Sequence, residues 1–155
     1  MSEPGAPPTM PNAPPTWTAD RQRVASGATW EARVGYSRAV RVGPFVYVAG
    51  TTGIGPDGRP VLGGVYAQAR RAFEIAGEAL AAAGASFADV VRTRMYVTDA
   101  SRWEEAGRAH AERFAGVRPA ATLVVVAALV DPDLLVEVEV DAIVPDGAAR
   151  GGAAE

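Results

Sequence analysis

The sequence of 155 residues contains no cysteine, no lysine and only one histidine. Without cysteine there is no thiol nucleophile, no disulfide and no cysteine-ligated zinc site. Without lysine there is no side-chain amine for Schiff-base chemistry. The single histidine, His110, does not build a histidine-rich metal site, and we predict no metal.

Strong charge and long apolar runs are also missing. The formal net charge is −3 and the basic residues form no patch, which disfavours nucleic acid as a partner. The longest apolar run, Leu123 to Val130, is far shorter than the roughly 20 residues that span a bilayer. The N-terminus lacks the charged-then-apolar layout of a signal peptide. We therefore expect a soluble, cytoplasmic protein with no membrane partner.

Both ends of the sequence have little to bury. Residues 1–15 hold six of the 12 prolines, and the last ten residues are small and polar. Such composition is typical of disordered segments. We predict a disordered proline-rich tail at 1–22, one folded domain at 23–145 and a second disordered tail at 146–155.

Hydrophobic periodicity predicts alternating strands and helices. A β-hairpin turns at Gly43–Pro44, and a helix from about Val65 to Ala83 ends at Gly84. A strand follows at Val90 to Val97. The predicted buried face of the helix consists of alanines and two larger side chains: Ala69, Phe73, Ala76, Leu80 and Ala83.

A second helix is expected to begin at Ser101 and to end near Phe114. Ser101 and Glu104 have the spacing of a capping box. Trp103, His110 and Phe114 share one stripe, which predicts that Trp103 and Phe114 are core residues and that His110 packs against the sheet.

The last two strands are joined by the turn Asp131–Pro132–Asp133. The resulting order β-β-α-β-α-β-β predicts an α+β fold with two layers, in which a mixed sheet of five to six strands carries two helices on one face. The other face is left bare, so we expect a homo-oligomer.

Three stretches of this sequence resemble motifs of the RidA (YjgF/YER057c/UK114) family. YSRAV (36–40) with FVYVAGTTG (45–53) is similar to the family's YSQAV…VFVSGQ. VVRTRMYVTD (90–99) resembles VVKTTVFVTD. RPAATLVVVAAL followed by LLVEVEVDAIV resembles FPARSCVEVARL…VEIEAIAV. The resemblance runs from about Trp30 to Val144, in order and without large gaps.

The resemblance implies a chorismate-mutase-like trimeric barrel with a pocket for a small molecule at each cleft between subunits. Well-studied members hydrolyse reactive enamines and imines, such as 2-aminoacrylate, to a keto acid and ammonia. They need no cofactor, and we expect none here.

One departure from the family pattern concerns the substrate carboxylate. In the family the P-A-R-S motif supplies an arginine that clamps this carboxylate, but Ala121 stands at that place here. A charge-assisted pair contributes roughly 1.5–3 kcal/mol. Arg118 is expected to lie in a loop before the strand, so Arg94, where the family has a small residue, is the better substitute.

The resemblance assigns roles to several other residues. Glu137 corresponds to the pocket glutamate that positions the attacking water, and it is the candidate catalytic residue. Tyr36 corresponds to a pocket tyrosine that packs its ring on a planar substrate. Gly50 and Thr51 follow a predicted strand end, where the backbone can approach a ligand closely. Thr122 adds a hydroxyl beside Ala121.

Three acids alternate with valines in the last strand: Glu137, Glu139 and Asp141. One interpretation is structural, with cross-strand pairs to Arg92 and Arg94 on the face of the sheet that carries no helix. The other gives Glu137 a working role as a base in a pocket. Both interpretations stand at this stage.

Three functions fit the sequence. The first is a cofactor-free deaminase that hydrolyses small enamines or imines. The second is a binding protein that keeps the pocket without the chemistry. The third is a dedicated biosynthetic imine cyclase or tautomerase.

Overall fold

Six strands form one mixed sheet in the computed structural model, which describes residues 21–145. The sheet order is β1-β2-β3-β6-β4-β5; all neighbours are antiparallel except β4 and β5. The strands are β1 (Arg21–Val24), β2 (Ala39–Val42), β3 (Phe45–Thr52), β4 (Val90–Val97), β5 (Ala120–Val125) and β6 (Val136–Ile143). The helices are α1 (Thr29–Val34), α2 (Gly64–Ala82) and α3 (Trp103–Phe114).

The predicted α+β architecture is confirmed. Helices α2 and α3 pack against each other and cover one face of the mixed sheet. The sequence did not indicate β1 or the short helix α1. Because Arg21 pairs with Val42, the sheet begins two residues before the predicted domain start at 23. The remaining parts of the predicted tails, 1–20 and 146–155, lie outside the described residues.

Strand β6 lies in the middle of the sheet, between β3 and β4. Its aliphatic side chains are fully buried beneath the helices, whereas the acids between them are only partly buried. This alternation is the one that the sequence predicted. The buried side chains of β6 are Val136, Val138, Val140 and Ala142.

Helix α2 buries the face that its periodicity predicted. Phe73 and Leu80 are completely buried and lie among the small alanines of the same stripe. The small side chains bring the helix axis close to the sheet, because an alanine fills little space between backbones. The chain leaves the helix through Gly84, which has a φ of 73° and adopts the left-handed conformation that favours glycine.

The predicted capping box at the start of α3 is wrong. Ser101 does not cap the helix; its hydroxyl and its backbone N–H donate to the Asp99 carboxylate at 2.7 and 2.8 Å. Asp99 thereby caps a single 3₁₀ turn that precedes α3, and Glu104 takes no part. A capping box forms instead between Ser86 and Asp89, at the 3₁₀ turn before β4.

Trp103 was expected in the core, but 52% of its surface is exposed. The buried face of α3 runs through Ala106, Ala109 and Phe114, and Trp103 lies at the edge of this stripe. Phe114 is buried as predicted, with its ring edge-on to Phe73 at 5.4 Å between centroids.

A buried glutamine fixes the start of β6. The Gln68 side chain of α2 donates to the Asp133 carbonyl at 2.8 Å and accepts from the Leu135 N–H, also at 2.8 Å. A buried amide that satisfies two backbone groups at once holds this connection in place. The helix therefore sets the position at which the acidic strand enters the sheet.

The sheet face opposite the helices carries large exposed side chains. Phe45 and Tyr47 of β3 are 45% and 51% exposed, and Val124 of the edge strand β5 is 42% exposed. We call the side that carries Tyr47 and the acids of β6 the open face. None of the helices within residues 21–145 is both long and apolar enough to cross a membrane.

His110 predicts a pH dependence of stability. Its Nε2 lies 2.9 Å from the Thr93 hydroxyl, and burial lowers the pKa of its imidazole. The unfolded chain therefore takes up a proton near pH 6.5 more readily than the folded chain. The free energy of unfolding should fall as the pH drops below about 6.5.

Urea denaturation of the wild type and of His110→Gln, at pH 7.5 and pH 5.5, measures this contribution. The glutamine can keep a hydrogen bond to Thr93 but does not titrate. We expect the wild type to lose more stability than the variant between the two pH values. Equal losses would show that His110 does not contribute.

Candidate functional site

The pairing between β3 and β6 contains a bulge. Val48 and Thr51 keep regular partners on β6, so Ala49 and Gly50 together lie opposite the single residue Glu139. The extra residue interrupts the alternation of side chains. As a result Val48 and Thr51, three positions apart, are both buried on the helix-covered face.

The bulge corrects the expectation that Gly50 and Thr51 follow the end of a strand. Both lie inside β3. Thr51 is 1% exposed, and its hydroxyl donates to the Ala49 carbonyl at 2.7 Å. The Thr51 side chain therefore belongs to the core, and on the open face Thr51 presents only its backbone.

Gly50 makes room for the Glu137 carboxylate. A Cβ atom built on Gly50 would overlap the Oε1 atom of Glu137. Any side chain at position 50 would displace this carboxylate, so the missing side chain is a requirement of the arrangement. We call the space above Gly50 that the carboxylate occupies the Gly50 notch.

The pKa of the Glu137 carboxyl is raised in the Gly50 notch. Burial raises the pKa of its carboxyl, the negative charge of Glu139 raises it further, and the positive charge of Arg38 opposes both. A half-buried carboxylate with a raised pKa accepts and returns protons closer to neutral pH than an exposed one. This is the property that a general base requires.

Arg38 is the residue of this site that the sequence analysis missed. Its Nη2 donates to the Gly50 carbonyl at 2.5 Å, and its guanidinium carbon lies 5.8 Å from the centroid of the Tyr36 ring. Its positive charge lowers the pKa of Glu137 and so opposes the effect of burial on that carboxyl. One signal was present in the sequence, because YSRAV has an arginine where the family motif has glutamine.

The remaining acids of β6 form the predicted cross-strand pairs. The Nη1 atom of Arg94 lies 3.3 Å from Glu139 and 3.1 Å from Asp141. Arg92, on the same side of β4, forms no ion pair within residues 21–145. Arg94 is thus engaged with the sheet, which favours its structural role over the predicted contact with substrate.

Tyr96 is a second open-face residue that the sequence analysis did not name. It lies opposite Glu137 in the register between β4 and β6. Burial raises the pKa of its phenol, and so do the charge of Glu139 and the hydrogen bond that Tyr96 donates to it. Tyr96 therefore keeps its proton and remains a donor beside the two glutamates.

Ala121 and Thr122 are not brought to Glu137 within one chain. They lie on β5, which is separated from β6 by β4. Ala121 pairs with Thr93, whose side chain is buried beneath the helices, so Ala121 and Glu137 point to opposite faces. Thr122 pairs with Arg94 and shares the open face, but at the exposed edge of the sheet.

Tyr36 lines an open cavity of about 530 Å³ on the open face. Its wall combines aromatic, basic and acidic side chains, among them Arg21, Arg23, Tyr36, Tyr47, Glu139 and Asp141. Glu137 lies two residues before Glu139 on the same face of β6, next to this wall. Within residues 21–145, no three His, Cys, Asp or Glu side chains are grouped so that they could hold a metal ion.

The surroundings of two nearby glycines predict different losses of stability when each is replaced by alanine. In Gly50→Ala the new methyl meets the flexible end of Glu137, so the variant should lose less than about 1 kcal/mol of stability. In Gly53→Ala the new Cβ would lie 2.5 Å from the Gln68 carbonyl oxygen of α2. This backbone cannot move aside, and we expect a loss of about 2 kcal/mol or more.

Urea denaturation of both variants checks the stabilities. A carboxyl ¹³C NMR titration of Gly50→Ala should show that the pKa of Glu137 falls toward that of a solvated glutamate, because the displaced group is less buried. An unchanged pKa would show that Gly50 does not shape the site.

Comparison with known proteins agrees with the fold and the motifs. The model of the family described as Endoribonuclease L-PSP matches residues 27–144. An uncharacterized protein of Streptomyces coelicolor is 43% identical over 121 residues, which cover 78% of this chain and 90% of that protein. The human 2-iminobutanoate/2-iminopropanoate deaminase is 36% identical over 110 residues, covering 70% of this chain and 80% of the human protein.

A solved structure extends the comparison. The crystal structure of Rv2704 from Mycobacterium tuberculosis, described as a member of the YjgF/YER057c/UK114 family, superimposes with a TM-score of 0.73 and 54% sequence identity. It covers 81% of this chain and is itself covered completely. The chain therefore belongs to the YjgF/YER057c/UK114 (RidA) family.

Proposed function

We propose that this protein is a deaminase that hydrolyses small imines or enamines to carbonyl compounds and ammonia without a cofactor. The observation that carries the proposal is the Glu137 carboxylate, half-buried in the Gly50 notch with a raised pKa. The name of the human relative, 2-iminobutanoate/2-iminopropanoate deaminase, supports imine deamination as the reaction class.

The proposed reaction needs one water molecule and one group that moves a proton. Water adds to the carbon of the C=N bond while Glu137 takes a proton from it. Glu137 delivers this proton to the nitrogen, which gives the carbinolamine R₂C(OH)NH₂. Glu137 then moves the hydroxyl proton to the nitrogen, and the C–N bond breaks as the C=O bond forms and ammonia leaves. An imine R₂C=NH and water thus become R₂C=O and ammonia, and Glu137 ends in its starting state.

The pocket is proposed to form between the subunits of a homotrimer. The exposed aromatic side chains of the open face support self-association, because monomeric proteins rarely expose such a surface. Ala121 and Thr122 lie on a different face or edge of the same chain from Glu137. They can line a pocket with Glu137 when a neighbouring subunit supplies them.

A second candidate function is binding without turnover. The observation in its favour is Ala121, whose methyl group replaces the guanidinium that the family motif places there. A pocket without this anchor would hold a metabolite loosely and orient it poorly. The same pocket could serve a dedicated imine cyclase or tautomerase. An assay of ammonia release separates the binding, cyclase and tautomerase functions from the proposed deaminase.

Removing the carboxylate should abolish turnover. In Glu137→Gln we expect the release of ammonia from enzymatically generated 2-iminobutanoate to fall at least a hundredfold, because the amide does not accept the proton. For the wild type, activity should be lost as the pH falls through the raised pKa of Glu137, since only the ionised form is a base. Stopped-flow detection of ammonia or of 2-oxobutanoate measures both.

Glu104→Gln serves as the matched control, since it removes an equal charge from an exposed position of α3. Its activity should equal that of the wild type. A wild type that does not accelerate hydrolysis, together with an active Ala121→Arg variant, would contradict the deaminase proposal and show a competent scaffold that lacks the anchor at position 121.

The trimer predicts a mass in solution of three times the chain mass of 16.0 kDa. Light scattering coupled to size-exclusion chromatography measures it directly. Tyr47→Glu, which places a charge on the open face, should lower the mass toward that of one chain, because an unpaired charge is costly to bury. A wild-type mass of one chain would exclude a pocket between subunits.

A further inference from the structure

Arg38 is a partly buried cation that forms no ion pair within residues 21–145. Arg71, Arg94 and Arg102 each have a carboxylate oxygen within 3.5 Å. Arg38 has none, and its Nε atom is buried with no hydrogen-bond partner. A buried guanidinium whose donors are unmatched is unfavourable unless an anion or another acceptor completes its surroundings.

The nearby carboxylates do not fill this role. Glu31 accepts hydrogen bonds from the backbone N–H of Ser26 at 3.0 and 3.2 Å and from the Ser26 hydroxyl at 2.6 Å. Glu137 attracts Arg38 electrostatically but lies in the Gly50 notch without forming an ion pair. Both acids stabilise the charge of Arg38 from a distance and leave its Nε atom without a partner.

The Arg38 guanidinium is held in place at the site. Its Nη2 donates to the Gly50 carbonyl, on the residue that forms the notch, and its guanidinium carbon lies over the Tyr36 ring. A guanidinium carries five N–H donors in a planar fork, which matches the two oxygens of a carboxylate. A cation and a proton acceptor thus lie on either side of Gly50.

We propose that Arg38 binds the carboxylate of a 2-oxo or 2-imino acid in this site and replaces the arginine that is missing at position 121. The inference rests on the proposed function and names its substrate class. Arg38 is hydrogen-bonded to the Gly50 carbonyl and the Glu137 carboxylate lies above the same residue, so a substrate whose carboxylate is on Arg38 has its C2 atom close to the proposed base. Arg38 is then a specificity-determining residue.

A purely structural role is the competing explanation. In that case Arg38 only fixes the bulge through the Gly50 carbonyl, and its loss would weaken every ligand alike. The two roles differ in their response to ligand charge, so the test compares an acid with its uncharged amide.

The probes are 2-oxobutanoate and 2-oxobutanamide, which differ in charge but hardly in shape. Isothermal titration calorimetry on the full-length protein measures both affinities. We expect the wild type to prefer the acid by about ten- to a hundredfold, the contribution of a charge-assisted pair. Arg38→Gln should remove this preference and leave the affinity for the amide unchanged.

Three further variants make the result specific. Arg59→Gln removes the same charge from an exposed loop and should behave as the wild type. Arg38→Lys should keep part of the preference, because lysine retains the charge without the planar fork. It also provides the comparison if the glutamine variant does not fold. Arg38→Gln combined with Ala121→Arg should regain the preference.

The outcomes separate this inference from the proposed function. If Arg38→Gln keeps the preference for the acid, or loses affinity for acid and amide equally, the role of Arg38 is refuted even when Glu137-dependent hydrolysis is observed. If the preference depends on Arg38 but no hydrolysis occurs, the deaminase proposal fails and the anion site stands. A wild type that binds neither probe refutes the anion site, and the hydrolysis assay then decides the deaminase proposal by itself.

Discussion

The two-sidedness of strand β6 is the constraint on which the structure depends. This strand lies between β3 and β4, and every second side chain is an aliphatic group buried beneath α2 and α3. A shift of one residue would place three carboxylates in the core, which is far more costly than any loss of packing. The register of β6 is therefore fixed, and with it the position of Glu137 on the open face.

The three acids of β6 have different electrostatic surroundings although they are equally spaced. Glu139 and Asp141 share Arg94, so their charges are compensated within the sheet. Glu137 has no such partner: burial and Glu139 favour its protonated form, and Arg38 opposes them from across Gly50. The acidic strand thus forms ion pairs at one end, and at the other it carries the carboxylate for which we propose a catalytic role.

The sequence predicted those features that depend on periodicity. The buried face of α2, the alternation of β6 and the pairing of Arg94 with the acids all follow from side-chain direction. Local competition was not predictable: Asp99 takes the Ser101 hydroxyl, and the stripe of α3 leaves Trp103 outside. The proximity of Arg38 to Glu137 was also missed, because it depends on the pairing of β3 with the distant strand β6 and on the bulge at Ala49–Gly50.

Because the bulge at Ala49–Gly50 depends on a single extra residue, a change of one codon in this gene can alter the site. Deletion of the Gly50 codon would make β3 a regular strand opposite β6, with Val48 and Thr51 two positions apart and both still facing the helices. Ala49 alone would then lie opposite Glu139 with its methyl group toward the open face, and the space above Gly50 that the Glu137 carboxylate occupies would be lost. Insertions and deletions at this one point of the strand can therefore erase or create the site while the helical layer stays as it is.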